Sequence, residues 1–305
     1  MKYTSKLVLS ITLLSQVLSA QPSYPTNPEN AELIYTDVEH FVEAYEKLNA
    51  ECDTVAVLKQ YYFDRGSNGL REFIIRHKLA PEMLKNAIAK NSDKYAKIEE
   101  FLAAKTAFQM EFKKTMHLYN GVLPSAMYPP TYLMVGANRG IGQASKVGQL
   151  ITITRVIDRP DTLKKLIVHE LSHFQQALTM GVQQYGALYS KSNNMLELCL
   201  REGGAEFVTS LVLDEITHSK ELKYLESNES ELKKKFREDL SKQDTKFWLW
   251  DSIDNTDTPH LLGYVMGYKI CSAYYQNKPD KQQALKDILL MEEAEKFKED
   301  SGYFK

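Results

Sequence analysis

The sequence has little cysteine, no surplus of positive charge and, beyond its first twenty residues, no long apolar run. Its three cysteines, Cys52, Cys199 and Cys271, are too few for a disulfide scaffold. They allow one bridge in an oxidising compartment, and the sequence does not select the pair. Cys199 stands three residues before Glu202, but a lone Cys is commonly a small buried apolar residue, so burial is the expectation. Lysine and arginine number 38 against 40 aspartate and glutamate, which leaves no basic excess to favour nucleic acid. Without a later apolar stretch of about 20 residues, no integral membrane segment is expected in the mature chain. There is no tandem repeat and no low-complexity tract. What remains is the composition of a soluble globular protein, 43% hydrophobic and 26% charged over 305 residues. That length suits one large domain or two small ones.

The N-terminus reads as an export signal over residues 1–20. Lys2 and Lys6 give a positive start, Leu7 to Leu18 a short apolar core, and Ser19-Ala20 a small-residue end before Gln21. The mature chain is therefore expected in the periplasm or outside the cell. Gln21 to Asn30, rich in Pro and Asn, reads as an extended tether. From Ala31 almost to Tyr119 apolar residues recur at helical spacing, as in Val38, Phe41, Val42 and Tyr45, with breaks at Arg65–Asn68 and Ala80-Pro81. Residues 21–120 thus form a helical N-terminal region with no catalytic cluster, and 121–305 carry the chemistry. His40, His77 and His117 are scattered and read as surface or capping residues.

The chain is organised around Leu163 to Gln176, LKKLIVHELSHFQQ. His169 and His173, four apart, lie one turn apart on one helix face, so both imidazoles can reach one metal ion. Glu170 sits beside that face, placed to take a proton from a metal-activated water. Pro160, Asp161 and Thr162 are start signals, with Asp161 or Thr162 expected as the N-cap. Downstream, NNMLELCLREGGAE reads as a second helix capped by Asn193 or Asn194. Glu202 and Glu206 share a face of it. Glu202 can serve as the third ligand, and Glu206 can accept a proton from the other ring nitrogen of a ligand histidine. Gly203 and Gly204 cost a helix about 1 kcal/mol each against Ala, so a close approach to the metal helix is the expected reason for them.

HExxH followed by a helical E-G-G-A-E resembles the gluzincin metallopeptidases, which hold one zinc with His, His and Glu. The longer pattern resembles a narrower group, the exported bacterial families of unknown function described as predicted Zn-dependent proteases. It includes YYFDRGSNGLREFI, PPTYLMVGANRGIGQASKVGQLI, VHELSHFQQ, REGGAEFVTSLV, HLLGYVMGYKICSAYY and FKEDSGYF. The loop NRGIGQAS departs from the more Gly- and Ser-rich sequence associated with this place. The resemblance implies a zincin-like core with a small β-sheet, hence an α+β, mainly α-helical fold. It also implies one Zn2+ per chain and a peptide or protein substrate.

Thr131 to Val135 and Leu150 to Val156 are strand candidates, and one of them is expected to be the sheet edge that receives an extended peptide. The glycine-rich stretch between them, Gly136 to Gly148, reads as a flexible hairpin or lid. Its lack of a GK[ST] ending argues against a phosphate loop. Phe247 to Trp250 is an aromatic cluster fit for core or cleft wall. Asp257, Thr258 and Pro259 announce a helix through Asn277. On it His260, Tyr264 and Tyr268 are candidate donors to the oxyanion of amide hydrolysis, Tyr264 foremost. No G-x-M-E-N exopeptidase element is present, which favours an endopeptidase. Two other readings remain at this stage: a catalytically weak peptide-binding or surface protein on the same fold, and a helical scaffold without metal.

Overall fold

The structure is a computed structural model and describes residues 24–49, 51–138, 140–188, 195–243, 245–250 and 259–305. The leader, the capping residues Asn193 and Asn194, and the start signals Asp257 and Thr258 lie outside the described residues. The fold is α+β and mainly helical. After the short strand β1 (Leu33–Ile34) come α1 (Thr36–Glu46), α2 (Thr54–Leu58), α3 (Asn68–His77), α4 (Pro81–Lys90), α5 (Ser92–Ala103) and α6 (Lys105–Val122). A π-helical turn over Lys59–Phe63 follows α2. Each helix turns its apolar stripe inward: Val38 and Phe41, Leu70 and Phe73, Phe112 and Met116 are all buried. The break before α3 is fixed by Ser67. Its hydroxyl caps the Leu70 N–H, and its own N–H and O–H donate to the buried Asp37 carboxylate at 2.8 and 2.5 Å.

The sheet has the order β1-β2-β4-β3, with β2 at Thr131–Met134, β3 at Gly142–Ser145 and β4 at Gly148–Thr152. The first three strands run parallel, and β3 turns back antiparallel to β4. All the residues of β2 and β4 are buried, as a central parallel strand covered on both faces requires. Register assigns the faces. Tyr132, Leu150 and Gln143 are lateral neighbours on the side of α3. There Gly69 of α3 sits against the Tyr132 ring, and His77 Nε2 meets Gln143 Oε1 at 3.1 Å. Ile151 and Gly142 face the opposite side, where α7 (Pro160–Met180) packs.

Two expectations are corrected here. The edge beside α7 is neither Thr131–Val135 nor Leu150–Val156, both interior strands, but β3, which lies inside the glycine-rich stretch. GQAS lacks β-branched alternation, and its strand state comes from pairing with β4 rather than from local propensity. The stretch is also no loose lid. Its last part is a hairpin around Lys146-Val147, and the part before β3 is held at several points. Tyr62 Oη donates to the Val135 carbonyl at 2.7 Å and accepts its N–H at 2.9 Å. Tyr95 Oη donates to Gly136 O at 2.8 Å, and Thr152 Oγ1 to Gly140 O at 2.7 Å.

Beyond α7 follow α8 (Val182–Leu188), α9 (Met195–Leu213), α10 (Ser219–Ser227), α11 (Glu229–Lys242), α12 (Leu262–Asn277), α13 (Lys281–Leu290) and α14 (Ala294–Ser301). Helix α7 starts one residue before the expected caps. Pro160 occupies its first turn with Arg159 as N-cap, and Asp161 complements the positive end of the helix dipole. The glycines of α9 serve three neighbours. A Cβ on Gly203 would lie 2.2 Å from the Gly267 carbonyl carbon of α12, so this glycine admits α12 and not α7, the neighbour expected from the sequence. Gly204 faces both α7 and α13, where a Cβ would meet Gln176 Nε2 and Ile288 Cγ2 at 3.3 Å each. The buried Arg201 guanidinium donates to Leu289 O and Leu290 O at 2.6 Å each, satisfying carbonyls at the end of α13. Cys52, Cys199 and Cys271 are free thiols, the last two buried. Among the described residues no helix is long and apolar enough to cross a membrane.

Candidate metal centre

Helices α7 and α9 lie side by side and bring His169, His173 and Glu202 together, each less than a tenth exposed. The two Nε2 atoms are 2.9 Å apart, and Glu202 Oε2 lies 3.1 Å from His173 Nε2 and 3.4 Å from His169 Nε2. Three donors held about 2.0–2.1 Å from one tetrahedral ion would stand about 3.3 Å apart, so the residues fit a zinc ion with little movement. Burial disfavours the Glu202 charge, but His173 and His169 outweigh it and hold its pKa well below the carboxylate range. Burial likewise works against protonated histidine, yet Glu202 and Glu206 raise the pKa of His169 well above normal. Three buried donors aimed at one point are what one cation would hold together, taking the place of the protons that the histidines carry without it.

The groups behind the two candidate ligand histidines set their ring orientation. Glu206 Oε1 lies 2.8 Å from His169 Nδ1, one helical turn beyond Glu202. In the other candidate, His173 Nδ1 lies 2.9 Å from Gln176 Oε1 and 3.0 Å from Tyr185 Oη. Gln176 is oriented in turn by donating from Nε2 to Arg201 O at 2.9 Å. With an oxygen close to each Nδ1, hydrogen-bonded in His173 and at ion-pair distance in His169, each ring turns Nε2 toward the shared centre.

Glu170 is buried and faces β3. It accepts the backbone N–H of Ala144, and burial pushes its pKa up despite the nearby histidines. Gly142 makes the space: a Cβ there would stand 2.6 Å from Glu170 Oε1. In the β3–β4 ladder Thr152 N–H donates to Ile141 O, so alternation turns the backbone groups of Gly142 and Ala144 toward the open edge. The edge strand and Glu170 therefore share one wall.

Of the three candidates near the start of α12, only Tyr264 reaches the site. Its hydroxyl hydrogen-bonds Glu202 and accepts from Trp250 Nε1 at 3.0 Å, and its ring stacks 6.2 Å from that of His169. Burial, followed by the Glu202 charge, raises its pKa well above normal, which keeps the phenol protonated. His260 is exposed before the helix begins, and Tyr268 packs on Phe207 at 5.9 Å. Gln176, Tyr185, His218, Trp250 and Gly142 were not singled out from sequence as site residues. Gln176 carried a signal in its position three residues after His173 on the same helix, and Trp250 in its aromatic cluster, which suited a cleft wall as well as a core. The others arrive from separate elements.

A family model described as Predicted Zn-dependent protease (DUF2268) matches residues 130–298, just over half of the chain. The match opens at β2 and takes in β3, β4, α7 and α9, and so every residue of the donor set. No curated protein and no solved structure matches the chain.

Proposed function

The chain belongs to the family of predicted Zn-dependent proteases, and we propose on that premise that it is an exported zinc peptidase, an endopeptidase acting on peptide or protein substrates. The observation that carries the reading is the convergence of His169, His173 and Glu202 with the buried Glu170 beside them. A scaffold has no use for three buried donors aimed at one point, and a binding module needs no base next to them. Export rests on the sequence of residues 1–20.

His169, His173 and Glu202 would hold one zinc per chain. When bound, zinc polarises a carbonyl and lowers the pKa of a water to about 7. Glu170 takes the proton from the attacking water and passes it to the leaving nitrogen; its raised pKa suits both halves of that task. Tyr264 stays protonated, and when Glu202 turns to the ion its single O–H, given to Glu202 in the metal-free site, is released to stabilise the negative charge that develops on the carbonyl oxygen. An extended peptide pairs with the outward groups of Gly142 and the outward carbonyl of Ala144, whose N–H Glu170 already holds, which lays the peptide backbone along the wall that carries Glu170.

Metal content of the purified chain, measured by elemental analysis beside a His169→Ala control, tests the centre. About one zinc per chain that is lost in the control is the expected result. No zinc after incubation at neutral pH overturns the reading. A peptide-library screen with Glu170→Gln as blank then tests turnover. Cleavage by the parent that is absent from the blank is expected, and equal cleavage removes Glu170 from its role.

A further inference from the structure

The outer oxygen of Glu206 leads to a residue that the ligand set does not include. Helix α9 ends at Leu213, and Asp214 adopts a left-handed conformation at φ 52°, where the chain turns. The return brings His218, just ahead of α10, back over α9. His218 Nδ1 lies 3.2 Å from Glu206 Oε2, while Oε1 of the same carboxylate lies 2.8 Å from His169 Nδ1, both within ion-pair reach although the two ring nitrogens are not aligned for a hydrogen bond as they stand. The Glu206 side chain is 3% exposed and that of His218 22%. A carboxylate buried this deeply needs partners for both oxygens. With one partner alone it is free to rotate about its last bond and leave His169. The His218 ring also packs against Tyr264 at 5.3 Å, so it is held from two sides.

We propose that His218 is a positioning residue for the metal centre: it pins Glu206 so that Glu206 holds His169 with Nε2 directed at the ion. The inference rests on the zinc reading above. It predicts that zinc affinity depends on a nitrogen donor at position 218, although that residue does not itself reach the donor group.

The test is zinc affinity of the full chain by competition with a chelator of known strength, for the parent, His218→Phe and His218→Asn. Phenylalanine keeps a ring against Tyr264 and removes the donor. Asparagine places an amide nitrogen as many bonds from Cα as Nδ1. His218→Phe should bind zinc about ten- to a hundredfold more weakly, the usual effect of losing such a supporting partner, with His218→Asn within about threefold of the parent. His218→Leu, which also lacks the donor, stands in should His218→Phe not fold, as judged by thermal unfolding of the zinc-free proteins. Affinity of the donor-less variant within about twofold of the parent overturns the proposal, as does an equal loss in His218→Asn, which would make the effect one of packing. A parent that binds no zinc overturns the zinc reading and this inference together. A parent that binds zinc with unaffected variants overturns this inference alone.

Discussion

Glu202 and Tyr264 share a hydrogen bond but answer to different measurements. Removing Glu202 leaves two histidines and no anionic donor. Glu202→Ala should weaken zinc binding by more than the roughly hundredfold that loss of a supporting partner costs. Chelator competition reads this, and unchanged affinity would assign the third ligand elsewhere. Tyr264→Phe keeps the ring stacked near His169 and deletes only the hydroxyl. Turnover should fall about a hundred- to a thousandfold with zinc retained, the range for one lost oxyanion donor. A loss confined to KM would instead make Tyr264 a substrate contact. The grouping of His169, His173 and Glu202 was legible because it is written at helical spacing: four residues from His169 to His173, and four from Glu202 to Glu206. Tyr185, Trp250 and His218 were not, because nothing local ties them to the histidines. The tertiary fold alone brings α8, the 245–250 segment and the start of α10 to the site.

Two elements set the geometry, and each has one glycine on which it turns. On β3 the space for Glu170 exists because residue 142 has no side chain. Gly142→Ala pushes against the end of a flexible side chain rather than backbone, so the chain should fold and bind zinc. Glu170 would shift, and turnover should drop at least about tenfold, the consequence of misplacing a catalytic group by a fraction of an ångström to an ångström. Undiminished turnover at normal zinc content would show that Glu170 tolerates the displacement. At the crossing of α9 and α12, a Cβ on Gly267 would lie 1.9 Å from Cys199 O, a backbone atom that cannot step aside. Gly267→Ala should cost about 3 kcal/mol or more in denaturant unfolding, the upper range for overpacking. Gly204→Ala, with 3.3 Å to a movable amide, should cost far less. The close approach of helices could be read from paired glycines, yet which helix approached could not. Sequence spacing defines a face but not its partner, which is why Gly203 was assigned to α7 while it packs on α12. The edge strand was missed for a related reason: four residues of low strand propensity gain their state from β4, and no local signal announces it.

Across the whole molecule the N-terminal helices and the sheet share one hydrophobic core. Tyr62, next to α2, clamps both backbone groups of Val135 at the end of β2, and His77 of α3 braces β3 through Gln143. Segments joined this way should melt as one cooperative unit, and zinc offers a way to test it. A ligand that binds only the folded state adds about 2.7 kcal/mol at a hundred times its Kd. Both tryptophans, Trp248 and Trp250, lie beside the start of α12, so their fluorescence reports the neighbourhood of the metal centre. Far-ultraviolet circular dichroism reports every helix, including α1 to α6. If the helices that brace the sheet are coupled to the centre, zinc should raise both midpoints by the same amount and a chelator should lower both equally. A circular-dichroism transition that ignores zinc while fluorescence follows it would separate the N-terminal helices from the catalytic unit. Tyr62→Phe sharpens the comparison. It strips the partners from a buried N–H and carbonyl at about 1–3 kcal/mol for each group, and it should lower both midpoints together although it lies far in sequence from either tryptophan.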